Sequence, residues 1–333
     1  MIRRLIQFVS AFAGNSYLLG FVRGTIYQGP LKSVCFPGMN CYSCPGAVFA
    51  CPIGSLQAVL TQPGALHSIA VGKPEGIIFF YVLGFIFLIG SLVGRLLCGW
   101  VCPFGFIQDL LHKIPTRKVG IPRQWRLMKY AILVVFVLLL PLFLRDGFGV
   151  PWKPSADTAA VEHESPSDVK ATGKTLFSED PGSPWFCKVI CPVGTLEGGV
   201  TLVSYDRISG RNRFSLGFLF YFKLSVLGVF LVWIVMAKRP FCRTVCPLGA
   251  IWGIFNKVSV WRMHVDTSAC TKCLACRKVC PVGCSIFEEP DSAECVRCLD
   301  CVPKCPKRCI SSGTGRSAAV ARPVSKVVSE SPP

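Results

Sequence analysis

The sequence predicts a mainly α protein: a polytopic membrane bundle of about four transmembrane helices interleaved with short helices, then a small cysteine-rich α+β module. Three observations carry this expectation. Four long apolar runs punctuate most of the chain. Only 16% of the 333 residues are charged while 51% are hydrophobic, against about 25% charged in an ordinary soluble domain. The 20 cysteines fall in regularly spaced groups that follow the runs or crowd near the C-terminus. So apolar a chain excludes intrinsic disorder over most of its length. It also argues against a secreted disulfide scaffold, which is usually short and lacks such runs. The formal charge of +18 does not read as nucleic-acid binding, because the basic residues flank apolar segments and cysteine groups and form no single stripe.

A membrane-spanning helix needs about 20 apolar residues, with a range of roughly 17–25. The runs place spans at about 5–22, 77–97, 127–145 and 214–237 inside a membrane domain 1–257. The first is uncharged but contains Gln7 and Asn15, and an interfacial amphipathic helix competes with the span there. Met1-Ile-Arg-Arg opens like a signal peptide, yet no Ala-x-Ala-like site follows, so it reads as an uncleaved anchor. The second run is uncharged and rich in Phe, Ile, Leu and Val. The third reaches full length if Lys129 snorkels toward the interface. Lys223 alone interrupts the fourth. Residues 146–186 read as an outer loop, rich in Ser, Pro and Gly and acidic through Asp146, Asp157, Glu162, Glu164, Asp168, Glu179 and Asp180.

Each run is followed by the same text. Cys51-Pro-Ile-Gly54, Cys102-Pro-Phe-Gly105, Cys191-Pro-Val-Gly194 and Cys246-Pro-Leu-Gly249 are four copies of Cys-Pro-x-Gly. The last three have a partner four residues earlier: Cys98, Cys187 and Cys242. The first is preceded by Cys35, Cys41 and Cys44. This is an internal repeat of span, cysteine pair and short helix. Consecutive spans run in opposite directions, so the first and third motifs share one face and the second and fourth the other. The loop after the second motif holds Lys113, Arg117, Lys118, Arg123 and Arg126, which makes that face cytoplasmic by the positive-inside tendency.

Residues 258–310 form a separate module. Cys270-x2-Cys273-x2-Cys276-x3-Cys280-Pro is followed by Cys295-x2-Cys298-x2-Cys301-x3-Cys305-Pro. This is the bacterial two-cluster ferredoxin signature. Three cysteines at x2 spacing wrap one [4Fe–4S] cubane, and in the usual wiring the fourth ligates the other cluster. One cluster is therefore expected on Cys270, Cys273, Cys276 and Cys305, and a second on Cys280, Cys295, Cys298 and Cys301. Zinc is the competing reading. Cys284 and Cys309 are left over as spare thiols, and residues 311–333 read as a disordered tail.

The membrane pairs are less specific. Thiols at i and i+4 lie on one helix face, and a Pro suits the first position of the next helix, whose free N–H groups favour an anion. One pair supplies two ligands, so two motifs must converge. Cys98, Cys102, Cys242 and Cys246 make one set of four, with buried packing cysteines as the alternative. On the other face Cys41, Cys44, Cys51, Cys187 and Cys191, with Cys35, offer six candidates for four places, and disulfides compete there. One or two further iron–sulfur clusters are thus expected in the membrane domain. The four histidines lie outside the apolar runs and no Cys-x-x-Cys-His occurs, which disfavours haem. No flavin signature or nucleotide-binding Gly motif is visible.

Arg95-Leu-Leu-Cys98-Gly-Trp-Val-Cys102-Pro, the later Cys242-x3-Cys246-Pro and the C-terminal eight-cysteine module together resemble the NapH/MauN/NosR-type membrane polyferredoxins. The resemblance implies about four spans, cytoplasmic-side clusters and electron transfer between quinol or membrane donors and partner redox enzymes. The Cys41/Cys44/Cys51 segment and the Cys187/Cys191 pair are read as departures from that pattern. The expectation is a multi-pass protein of the inner (cytoplasmic) membrane with its ferredoxin module in the cytoplasm. It would be an electron-transfer component of an oxidoreductase complex rather than a stand-alone enzyme, with other redox subunits as partners and quinone as the candidate small molecule. The alternative is an assembly factor that reduces a metal or thiol for another enzyme. Lys188, Arg243, Lys272, Arg277 and Arg297 are candidates to stabilise reduced clusters, and His67, His112 and Asp109 to meet a quinone. One difficulty stands out: a hydrocarbon core about 30 Å thick would hold clusters on opposite surfaces too far apart, unless the Cys-Pro-x-Gly segments dip inward.

Overall fold

The computed structural model describes residues 2–61, 65–72, 74–143, 184–210 and 217–314. The expected loop at 146–183 and the tail from 315 lie outside the described residues. Three helices among those described are long and apolar enough to cross a membrane: Gly76–Val93, Gln124–Phe143 and Phe218–Met236.

The first apolar run is divided. Helix α1 (Ile2–Gly14) and helix α2 (Leu19–Arg23) are separated at the polar stretch Asn15-Ser16-Tyr17. The 13 residues of α1 rise about 20 Å. Arg3, near its start, pairs with Asp109 at 3.2 Å and with Asp300 of the cysteine-rich module at 3.0 Å. At its other end the Gly14 carbonyl accepts from Asn40 Nδ2 at 3.3 Å. In α1, Ile2, Leu5, Phe8, Val9 and Phe12 are exposed while Gln7 is buried and donates to the Gly99 carbonyl at 2.9 Å. The polar residue that looked out of place in the run therefore faces protein.

Helix α3 (Pro52–Leu60) precedes α4 (Ala65–Val71) and the first spanning helix, α5 (Pro74–Val93). Gly94, at φ 56, turns the chain out of α5 and into α6 (Leu96–Trp100) and α7 (Pro103–Leu111). The second span, α8 (Gln124–Phe143), contains a π-helical stretch at Leu133–Leu139. Lys129 does not snorkel. Its side chain is fully buried, pairs with Glu294 of the module and lies over the Tyr130 ring. Pro192–Gly194, Thr195–Val200 and Thr201–Ile208 run on as α9, with a π-helical middle. The third span is α10 (Phe218–Met236), followed by α11 (Pro240–Thr244) and α12 (Pro247–Phe255).

The nine-residue helices α3, α7 and α12 are each about 14 Å long, too short to span. Two of them, α3 and α12, pack beside the middles of spans. Gln57 of α3 donates to the Phe136 carbonyl of α8 at 2.8 Å, and Trp252 of α12 donates to the Ile86 carbonyl of α5 at 3.2 Å. These two Cys-Pro-x-Gly helices therefore lie alongside spanning helices rather than beyond their ends.

The C-terminal module is closed by a two-stranded antiparallel ladder of β1 (Trp261–Val265) and β2 (Ile310–Thr314), with α13 (Ala275–Val279) between them. Trp261 pairs with Thr314 and Val265 with Ile310. The ordered module thus runs past the expected boundary at 310, and residues 311–314 are strand rather than tail. Met263, Cys276, Ile286 and Ile310 form its small apolar core.

Candidate metal centres

The four repeats share one local geometry. Cys51, Cys102, Cys191 and Cys246 each cap a helix in extended conformation, with ψ of 126°, 119°, 108° and 113°, and a Pro follows. An N-cap side chain normally accepts a hydrogen bond from an amide two or three residues on. Here sulfur takes that place. The Gly194 N–H donates to Cys191 Sγ at 3.5 Å and the Gly249 N–H to Cys246 Sγ at 3.3 Å. Cys51 and Cys102 occupy the same cap position without that side-chain bond. In the Cys191 and Cys246 copies the glycine of the motif is thus the amide donor to its own cysteine, at the positive end of a helix where a thiolate is favoured.

Two of the repeats converge on the inner quartet, Cys98, Cys102, Cys242 and Cys246, all buried. Burial, then the proximity of Cys242 and Cys98, pushes the Cys102 and Cys246 thiols upward. Such a group cannot ionise without positive charge at its centre, which is what iron supplies. The donors around it are in place. Gln108 Nε2 lies 3.0 Å from Cys242 Sγ, and the Met39 N–H donates to Cys102 Sγ at 3.4 Å. Arg95 is wholly buried and donates to the Cys242 carbonyl at 2.8 Å and to the Ala293 carbonyl at 2.6 Å. Arg239, also buried, donates to the Cys98 carbonyl at 3.0 Å and clamps Asp109 at 2.7 and 2.5 Å.

Six candidates stood for four places on the other face. Cys41, Cys51, Cys187 and Cys191 line one cavity of about 540 Å³, together with Met39, Tyr42 and Lys223. Burial raises these thiols too. Cys44 and Cys35 do not line it. Cys44 is turned aside by the tight turn that its amide makes with the Cys41 carbonyl at 3.0 Å, and its sulfur faces Glu197 and Lys32. Cys35 is held in a bridge to Ala50. Glu197 accepts from the Cys41 amide at 2.8 Å, and burial pushes its carboxyl up to about 8. None of the 20 cysteines is in a disulfide.

In the module, Cys270, Cys273, Cys276 and Cys305 line one cavity. Cys280, Cys295, Cys298 and Cys301 line a second, and Cys276 borders both. The wrapping loops hold non-glycine residues in the left-handed region at matching places: Lys272 and Leu274 in one, Arg297 and Leu299 in the other. Each costs roughly 1–2 kcal/mol, a strain that persists only where the surroundings impose it. Among the described residues no three His, Cys, Asp or Glu side chains meet closely enough to hold a single metal ion. A zinc site needs donors about 2.3 Å from one point. Thiols spread around a cavity suit a wider, polynuclear group, so the donor sets fit iron–sulfur clusters.

The basic residues divide. Arg243 and Arg297 are buried, while Lys272 and Arg277 are exposed and Lys188 is half-buried. Arg297 ties the module to the membrane domain, donating to the Val93 carbonyl at 2.9 Å, Ser259 Oγ at 2.7 Å and the Asn256 carbonyl at 2.8 Å. The trio named for a quinone is not brought together. Asp109 is engaged by Arg239 and Arg3, His112 lies 3.2 Å from the Ile234 carbonyl, and His67 is exposed on α4. Sequence reasoning did not single out Arg95, Arg239, Gln108 or Met39. An arginine three residues before Cys98 and another three before Cys242, both against the ends of apolar runs, were the available signal.

A family model described as a 4Fe-4S binding domain matches residues 76–122, 182–205 and 218–265, and a second of the same description matches 263–285. Cys187 and Cys191 fall inside the first match; Cys35, Cys41, Cys44 and Cys51 fall outside both. An uncharacterised protein of Methanocaldococcus jannaschii is 24% identical over 61% of the chain and 58% of its own length. The methylamine utilization ferredoxin-type protein MauN of Methylorubrum extorquens is 24% identical over 69% of the chain and 59% of its own. The ferredoxin-type protein NapH of Escherichia coli is 24% identical over 67% and 60%. The chain thus spans less than two thirds of these relatives' lengths. No solved structure matches. Ferredoxin-type relatives, matches to 4Fe-4S binding domains and membrane-length apolar helices all fall in one chain, which is similar to the NapH and MauN ferredoxin-type proteins.

Proposed function

We propose that this chain conducts electrons across a membrane along four clusters in series, between a quinol or other membrane donor and a partner redox enzyme, with its ferredoxin module in the cytoplasm. One observation carries the reading: a shared residue or a direct backbone contact links each thiol group to the next. Met39 donates its amide to Cys102 of the inner quartet and lines the cavity of the outer one. Cys41 is two residues away, a reach of about 7 Å at most. On the other side of the inner quartet, Gly99 lies against the Cys295–Cys298 loop so closely that a Cβ would sit 2.4 Å from the Val296 carbonyl oxygen. Trp100 Nε1 donates to the Arg297 carbonyl at 3.1 Å. Cys276 then borders both module cavities.

Each bound cluster would supply a one-electron couple, its potential set by hydrogen bonds to sulfur, charge and burial. The protein's own residues hold the thiols, exclude water and place Arg95 and Arg239 beside the inner quartet. Short helices lying alongside the spans would shorten the path that a hydrocarbon core about 30 Å thick otherwise imposes. The basic loop supports the cytoplasmic assignment, because the Val119 amide donates to the Met236 carbonyl at 3.0 Å, at the end of α10 that leads to the module. At the far end of the module Cys273 is exposed among Lys272, Arg277, Lys278, Lys304, Lys307 and Arg308, also exposed. That surface fits a partner that presents carboxylates. At the opposite end, the roughly 540 Å³ cavity with Tyr42, Ile26 and Leu202 is the place where a quinone or a partner's redox group would approach.

The test is electron transfer through sealed vesicles that carry the purified chain, with ferricyanide trapped inside and dithionite added outside. Bleaching of the trapped ferricyanide is expected with the wild type and is expected to be lost in Cys187→Ala/Cys191→Ala, whose iron falls by about four per chain. Equal bleaching in both proteins, or iron unchanged in the variant, refutes the outer cluster and the series that depends on it.

A further inference from the structure

Apart from Cys276, which borders both cavities, each module cavity has one thiol beyond its own four ligands. Cys309 lines the first cavity beside Cys270, Cys273, Cys276 and Cys305. Cys284 lines the second beside Cys280, Cys295, Cys298 and Cys301. The two surplus thiols are related by the internal repeat. Each stands four residues after the cysteine that precedes Pro: Cys280-Pro-Val-Gly-Cys284 and Cys305-Pro-Lys-Arg-Cys309.

The backbone delivers both in the same way. The residue before each surplus thiol is left-handed, Gly283 at φ 68 and Arg308 at φ 51. A glycine adopts that conformation freely, but an arginine is strained there, so the return of Cys309 is imposed by its surroundings. The Cys284 amide donates to Cys280 Sγ at 3.3 Å, and the Cys309 amide bonds the Cys305 sulfur in the same sense. The two sulfurs of Cys305 and Cys309 are 3.3 Å apart. The Cys284 thiol likewise contacts the Cys280 sulfur. In both copies the neighbour of the surplus thiol is the one cysteine of its motif that ligates across to the other cluster.

We infer that Cys309 and Cys284 are reserve ligands, able to take over the iron held by Cys305 and Cys280 respectively. This rests on the reading that each module cavity holds a [4Fe–4S] cluster. In the exchange one iron–sulfur bond breaks at Cys305 and one forms at Cys309. The proton that leaves Cys309 goes to the Cys305 sulfur beside it, and no electron moves. The same balance holds for Cys280 and Cys284. The consequence is a module that keeps its clusters when its crossover cysteine is oxidised or alkylated.

The experiment compares iron and sulfide per chain, and EPR after reduction, for the anaerobically purified full chain, Cys305→Ala, Cys305→Ala/Cys309→Ala and Cys273→Ala. Alkylation by iodoacetamide with mass spectrometry follows Cys309 in each. Cys305→Ala is expected to keep the wild-type iron content with a changed EPR spectrum, and its Cys309 to become protected from alkylation. The double variant and Cys273→Ala are each expected to lose about four iron per chain. If Cys305→Ala loses as much iron as the double variant, or if its Cys309 is alkylated as readily as in the wild type, the proposal is wrong. Should Cys305→Ala not fold, Cys280→Ala against Cys280→Ala/Cys284→Ala decides by the same criteria. Wild-type protein with no cluster signal from the module removes the underlying site reading, and this result is distinct from failure of the variant alone.

Discussion

The membrane domain and the C-terminal module gather the same kind of thiol groups by opposite means. In the module, three thiols of each group lie within seven residues, and strained left-handed residues such as Lys272 and Arg297 bend the chain around them. In the membrane domain each quartet joins segments far apart in sequence, Cys98 and Cys102 with Cys242 and Cys246. Helix caps hold those segments, and buried cations buttress the inner quartet. The difference teaches where the energy lies. A loop that wraps its own cluster needs little beyond that cluster, whereas a quartet assembled from two distant helices depends on everything that holds the helices together.

The strongest way to break this comparison is Arg95→Leu. Arg95 joins the two regions through the Cys242 carbonyl, the Ala293 carbonyl and Glu294 at 3.6 Å. Its loss leaves Glu294 with Lys129 alone and two carbonyls without their donor. Removing one partner of a buried ion pair costs about 3–5 kcal/mol. Thermal unfolding in detergent is expected to show that loss, with iron leaving the inner quartet while the module's eight cysteines stay loaded. Module iron lost in parallel would mean the two regions form one cooperative unit, and the contrast between them would fail.

The same contrast explains what the sequence made legible. The gathering of the eight module cysteines around two cavities was readable because their spacing is local. So were the Cys-Pro-x-Gly helices, whose Pro and Gly occupy their positions for reasons of backbone geometry alone. The choice among Cys35, Cys41, Cys44, Cys51, Cys187 and Cys191 was not readable, because it turns on which side of a turn Cys44 falls. The break at Asn15 in the first apolar run and the burial of Lys129 were likewise tertiary facts. Gln7 and Lys129 looked like polar interruptions of spans, and each proved to face a partner on another segment: the Gly99 carbonyl and Glu294. In a membrane domain such a residue is better read as a contact marker than as a defect.

A smaller effect sharpens the comparison at one hydrogen bond. Gln108 Nε2 donates to Cys242 Sγ within a buried site, and a reduced cluster, being more negative, gains more from that donor than an oxidised one. Gln108→Leu is therefore expected to make the inner cluster harder to reduce, lowering its midpoint potential by tens of mV. Redox titration followed by EPR measures this. An unchanged potential would show that the amide does not reach the sulfur.

The smallest expected effect tests the division of the outer cysteines. Cys44 and Cys35 are buried but stand outside the cavity that Cys41, Cys51, Cys187 and Cys191 share. Serine in place of either keeps nearly the same shape, at a cost of about 1–2 kcal/mol for a buried hydroxyl. Iron per chain and vesicle electron transfer should stay at the wild-type level in Cys44→Ser and Cys35→Ser. Cys51→Ser, made in the same background, should lose about four iron. The three variants lie within seventeen residues and perturb the same loop, so an effect of local packing would appear in all of them. Only ligation separates Cys51 from its two neighbours, and iron loss in Cys44→Ser would move that residue into the quartet and displace one of the four now assigned to it.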